Sequence, residues 1–169
     1  PWGVACTPDG TSICVATAGT HEVAVIDAKA LHEKLAKAAK NEKVTEVTHS
    51  AEDVPNDLSF LVGIKNRRKL AGNGPRGIAV VGSTVYTTEY FTDTLGVVSL
   101  AKDAVHRAKS LALGPKVEAT QVRLGERYFN DADFCFQKWQ SCASCHPDAR
   151  ADGLNWDLLN DGMGNPKQT

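Results

Sequence analysis

The sequence predicts a mainly β fold with a small α part: a partial β-propeller of about two four-stranded blades, then a short helical segment. Three observations predict this. Pro1-Trp2-Gly3-Val4-Ala5-Cys6 returns as Pro75-Arg76-Gly77-Ile78-Ala79-Val80, Pro-x-Gly followed by an apolar stretch. Gly74-Pro75 returns as Gly114-Pro115, 40 residues on. Turn residues alternate with β-branched and aromatic runs at short spacing, the pattern of antiparallel strands. Four strands in roughly 40 residues is the spacing of a propeller blade.

The elements follow in order. After Val4-Ala5-Cys6 come a Pro8-Asp9-Gly10 turn, a strand at Ile13 to Thr17 and another at His21 to Asp27. Ala28 to Lys40 reads as a helix on the blade rim, with Leu31, Leu35 and Ala38 on one face and Glu33 preceding Lys37 by four. Asn41 to Asn56 is polar loop, and Leu58 to Ile64 returns to strand. This insertion, about 28–57, explains why the first copy runs 74 residues from Pro1 to Pro75. The second copy continues through Gly82-Ser83, Val85-Tyr86-Thr87-Thr88 and Asp93 to Leu100. Lys69-Leu70-Ala71 and Lys109-Ser110-Leu111-Ala112 supply the two fourth strands.

Pro115 opens a different texture. Thr120 caps a helix over Gln121 to Phe129, with Val122, Gly125 and Phe129 on one side. A helical glycine costs about 1 kcal/mol against alanine, and close helix crossing would explain it. Asn130-Asp131-Ala132-Asp133 breaks the helix. The domains expected are therefore 1–113, the blades, and 114–169, an incomplete second segment.

Formal net charge is −1 and 23% of residues are charged, which gives no whole-molecule case for nucleic acid or membrane binding. No apolar run has membrane-spanning length. Lys65, Arg67, Arg68 and Lys69 form a basic run. Asp148, Asp152, Asp157 and Asp161, with Arg150 against them, make the tail acidic. Such runs are solvated faces or, in the functional reading, a docking surface for a basic redox partner protein.

Cys142-Ala143-Ser144-Cys145-His146 carries the chemistry. C-x-x-C-H is a c-type haem attachment signature. Thiols three positions apart share one side of a helical turn, and the adjacent His146 can ligate the iron. The cofactor expected is haem c, its iron held by His146 and its ring attached through Cys142 and Cys145. A structural zinc site would need a second ligand pair, and none is spaced for it. A thioredoxin-like dithiol would follow a strand, and Asn130 to Trp139 lacks strand alternation. Met163, the one methionine, is the candidate sixth ligand, set against an ordinary loop role. Trp139 or Trp156 would pack on the porphyrin or fill a small core. Arg150 would pair with a propionate or stay at the surface. Cys135 has no place on a haem already holding two thioethers. Cys6 and Cys14, on adjacent strands, would need a suitable Cβ separation for a disulfide, and read rather as buried free thiols. Covalent haem attachment implies a periplasmic or cell-surface location.

The repeat resembles the YVTN-type β-propeller family, through Pro-x-Gly-(Val/Ile)-Ala, Val85-Tyr86-Thr87-Thr88 and the Thr-x-x-Val-x-Val pattern that follows. Residues from about 118 resemble the N-terminal half of a cytochrome c domain, and more narrowly the di-haem cytochrome c peroxidase family. Leu124-Gly125-Glu126-Arg127-Tyr128-Phe129-Asn130-Asp131, Ser141 to Pro147 and Ala151-Asp152-Gly153 carry that resemblance. The family has two haem motifs; this chain has one. A propeller ring needs about four blades or more, so further blades are expected from missing sequence or from other chains. The favoured function is electron transfer by haem c on a propeller scaffold. The alternatives are a fragment of a peroxidase-like haem oxidoreductase and a surface propeller for binding or scaffolding. No P-loop, G-x-S-x-G or H-E-x-x-H motif points elsewhere.

Overall fold

The computed structural model describes residues 1–101, 108–138, 140–156 and 167–168. It is mainly β, with two four-stranded antiparallel sheets and few helices. Contacts divide the chain into two compact units, Pro1–Lys116 and Val117–Thr169.

In the first unit, β1 (Val4–Cys6), β2 (Ser12–Thr17), β3 (Glu22–Asp27) and β4 (Lys65–Lys69) form one sheet in sequence order. The strands β5 (Pro75–Val81), β6 (Thr84–Glu89), β7 (Thr94–Ser99) and β8 (Lys109–Ala112) repeat the meander. Register follows the apolar alternation: Val4 faces Val15 in one sheet, and Ile78 faces Thr87 in the other. One face of each sheet meets the other around Cys14, Val23, Leu70, Val85 and Val98. A Cβ at Gly3 would stand 2.5 Å from Arg76 O, so only glycine lets β5 approach this closely. Arg76 stacks its guanidinium over Tyr90 at 3.6 Å and Trp2 at 4.3 Å.

Between β3 and β4 lies the helix α1 (Ala28–Ala38), capped by Asp27, whose carboxylate accepts from the Ala30 amide at 2.9 Å. Ala28 and Ala38 are buried; Leu35, expected on the packed face, is exposed. Leu58 to Ile64 is not the expected strand. Asp57 accepts from the Ser59 amide at 2.8 Å, Gly63 takes φ +83°, and the segment folds as turns. The fourth strand is instead the basic run Lys65–Lys69, upstream of the expected Lys69-Leu70-Ala71. Arg68 is less exposed than Arg67, and a charged stretch supplies the sheet edge.

A carboxylate ties the insertion together. Asp57 accepts from Ser59 Oγ at 2.6 Å, from Thr45 Oγ1, and from Thr48 Oγ1 at 2.6 Å. These hydroxyls, Ser59 first, hold its carboxyl well below the usual carboxylate range. Lys34 Nζ adds a bond to Phe60 O at 2.6 Å. Cys6 and Cys14 are both free; Cys14 is buried as expected, but Cys6 is exposed. Burial, with a smaller contribution from Cys6, pushes the Cys14 thiol up to about 11.

The second unit holds α2 (Gln121–Asn130), a one-turn α3 (Cys142–Cys145), and the short strands β9 (Asn155–Trp156) and β10 (Lys167–Gln168). Thr120 Oγ1 accepts from the Arg123 amide at 3.2 Å, the expected cap. The close crossing expected at Gly125 is absent among the described residues, where a Cβ would meet nothing within 4 Å. No helix among the described residues is long and apolar enough to cross a membrane.

Candidate functional site

Sequence chemistry places Cys142, Cys145 and His146 on one turn, and local hydrogen bonds build that turn. Ser141 caps it, and the Ser141 amide donates to Ser144 Oγ at 2.9 Å, closing a capping box across the motif's own middle residue. The His146 amide donates to Cys142 O at 2.9 Å, a helical bond that carries the chain one residue past the cysteines. Pro147 then starts a new turn, whose last residue, Ala149, is followed by Arg150 in extended conformation.

That reversal brings Arg150 O to 3.0 Å from His146 Nδ1. A carbonyl only accepts, so Nδ1 carries the proton and the Nε2 lone pair is left for a metal. Asp152 N donates to Cys145 O at 3.0 Å and closes the same loop. Cys142 is exposed and Cys145 partly so. Burial, then Asp152, then Cys135 and Cys142, push the Cys145 thiol up. A redox-active dithiol needs the opposite shift, toward thiolate. Among the described residues, no third metal-ligand atom gathers with Cys142 and Cys145, which disfavours a closed zinc site.

The unit leaves apolar side chains uncovered. Val122 is 83% exposed, Phe134 69% and Phe136 81%. Tyr128 and Phe134 meet edge to face at 5.2 Å and line a shallow cleft. Ala132 is the one buried apolar residue among the described part of this unit. Domains below about 70 residues seldom hold together without a disulfide, metal or other staple.

Of the site residues expected from sequence, Cys142, Cys145, His146 and Arg150 are brought together. Arg150 participates through its main-chain oxygen rather than its guanidinium. Met163, Trp139, Asp157, Asp161 and the Trp156 side chain lie outside the described residues. Tyr128, Phe134 and Phe136 were missed: two of them follow the helix break, where no periodicity marks them as a surface. Aromatic density just upstream of the cysteines was the signal available.

No protein-family model matches the chain. A stretch of 49 residues is 47% identical to the hydrazine synthase subunit gamma of Kuenenia stuttgartiensis, covering 28% of this chain and 14% of that protein. The matched region thus spans a small part of that relative's length.

Proposed function

We propose that this protein is a haem c electron-transfer module, with the cofactor attached at Cys142 and Cys145 of a chain whose sheets are propeller blades. The observation carrying this reading is the His146 Nδ1 to Arg150 O bond at 3.0 Å, directly after two thiols on one helical turn. The residues present fit the group. The thiols would hold it as thioethers, each adding S–H across a vinyl group, so that sulfur takes one carbon and the proton the other. His146 would ligate through Nε2, its orientation kept by the Arg150 carbonyl. Val122, Phe134 and Phe136 would cover the ring's apolar surface and exclude water from it. Bound haem c supplies a one-electron iron couple.

Likeness to a subunit named for hydrazine synthase supports a place within a multi-subunit assembly. In this reading residues 118–169 belong to a cytochrome c domain of the di-haem peroxidase kind, in an extracytoplasmic compartment, with the acidic tail facing a basic redox partner. The test is expression with cytochrome c maturation machinery, then intact mass and reduced-minus-oxidised visible spectra. One haem per chain, lost in Cys142→Ala/Cys145→Ala, is expected. Matured material that gains no mass would sink the reading.

A further inference from the structure

Each sheet of the 1–116 unit has two faces, and the packed pair uses one of each. Cross-strand pairing puts Ala5, Cys14, Ala16 and Val23 on one face of the first sheet. That face packs on Ile78, Val80, Val85 and Val98, which share one face of the second. Register then identifies counterparts. Val4, paired with Val15, stands where Ile78, paired with Thr87, stands in the second sheet. Arg68, paired with Val23, stands where Leu111, paired with Leu95, does.

The second sheet therefore repeats the first sheet's packed face on its outer side, through Ala79, Tyr86, Leu95 and Leu111. There Ala79 is exposed and Leu111 is 54% exposed. The first sheet repeats the second's packed face on its own outer side, through Val4, Cys6, Ile13 and Val15. There Val4 is 67% exposed and Cys6 is exposed, while Ala24 and Ile26, paired with Val15 and Ile13 on the same face, are already buried within the chain. The glycines repeat the point. Gly3 is needed because β5 of the neighbouring sheet approaches it. Its counterpart, Gly77, has Thr88 of its own sheet as its nearest neighbour, at 3.0 Å. At Gly77 the second sheet keeps the small residue that close packing requires, yet the atoms nearest to it belong to its own sheet.

We propose that these two outer faces bind each other between copies of this chain, head to tail. The outer face of one copy's second sheet receives the outer face of the next copy's first sheet. The contact repeats the one already formed inside each chain, so the sheet that fits is carried by the chain itself. Such a heterologous interface closes into a ring when the rotation permits, and rings of about four to eight blades take two to four copies. This extends the blade reading and does not depend on the haem reading.

Sedimentation velocity on the full chain, across micromolar concentrations, tests it. The unaltered chain is expected to form a discrete oligomer of two to four copies. Val4→Asp and Leu111→Asp, each placing an unpaired charge in the contact, are each expected to weaken association about 100-fold. Mixed together they are expected to give a heterodimer, because each variant retains the face the other has lost. Site-resolved alkylation should find Cys6 protected in the oligomer and reactive in the monomer. A chain that stays monomeric with Cys14 protected overturns the docking and leaves the blade packing standing. A monomer in which Cys14 reacts overturns both. An oligomer that survives both substitutions, or variants that fail to complement, also overturns the proposal.

Discussion

The two units fold on different resources. In Pro1–Lys116, Cys14, Val23, Val85 and Val98 disappear between two sheets, and the register of eight strands follows from the sequence's own alternation. In Val117–Thr169, a well-capped helix and a well-capped turn surround apolar side chains that stay in water. Its helix and turn termini are hydrogen-bonded locally, while apolar burial is nearly absent among the described residues. Local capping contributes about 1 kcal/mol per cap; burial of whole side chains contributes several times that. The contrast teaches that the first unit carries its core in its sequence, while the described part of the second buries little apolar surface of its own.

The strongest way to break the contrast is to withhold haem. Cys142→Ala/Cys145→Ala should abolish covalent haem altogether and make residues 117–169 the first site of limited proteolysis. Residues 1–116 should keep their protection, read by mass mapping of the fragments. Equal protease resistance in the haem-free and haem-loaded chains would remove the distinction. Next in size is the core of the first unit. Val98→Ala, two buried methyl groups removed beside Val85, should cost about 2 kcal/mol in urea unfolding and leave haem incorporation unchanged.

A smaller effect separates the insertion from both units. Asp57 has a depressed carboxyl pKa in the folded chain, so its contribution is fully present above the ordinary carboxylate value. It is lost as pH falls below about 4 toward the depressed value. Asp57→Asn should flatten the melting-temperature profile between pH 5 and pH 2, measured by circular dichroism (about the range in which carboxylates protonate). A variant whose acid limb matches the parent's would refute that role. The smallest effect belongs to the Lys29–Glu33 pair, 4.0 Å apart and solvent-exposed. Glu33→Gln should move stability by less than about 0.5 kcal/mol.

Much of the β unit was legible because strand alternation, Pro-x-Gly and turn chemistry all pointed to the same elements. The Leu58 to Ile64 segment was not. Its apolar run resembles a strand, yet Leu58 is 94% exposed, and an Asp57–Ser59 turn with a left-handed Gly63 decides the path. Leu35 misled for a related reason: helical periodicity names a face but not what stands opposite it. At the candidate site the cysteines and histidine were plain from spacing. The Arg150 contribution was not, because any residue offers a carbonyl and only the turn after Pro147 says which one reaches the imidazole. Gly125 suggested a crossing helix, and no described segment crosses there.

The knot around Asp57 has a practical corollary. Its partners, Thr45, Thr48 and Ser59, all lie in the connector from α1 to β4, and Lys34 fastens the far end at Phe60. The connector is thus a self-contained cassette on a rigid frame. Exposed, locally satisfied segments are where chains accept grafts and new termini, so a peptide tag or reporter spliced near the exposed Glu42, outside the knot, should leave strand pairing on either side undisturbed.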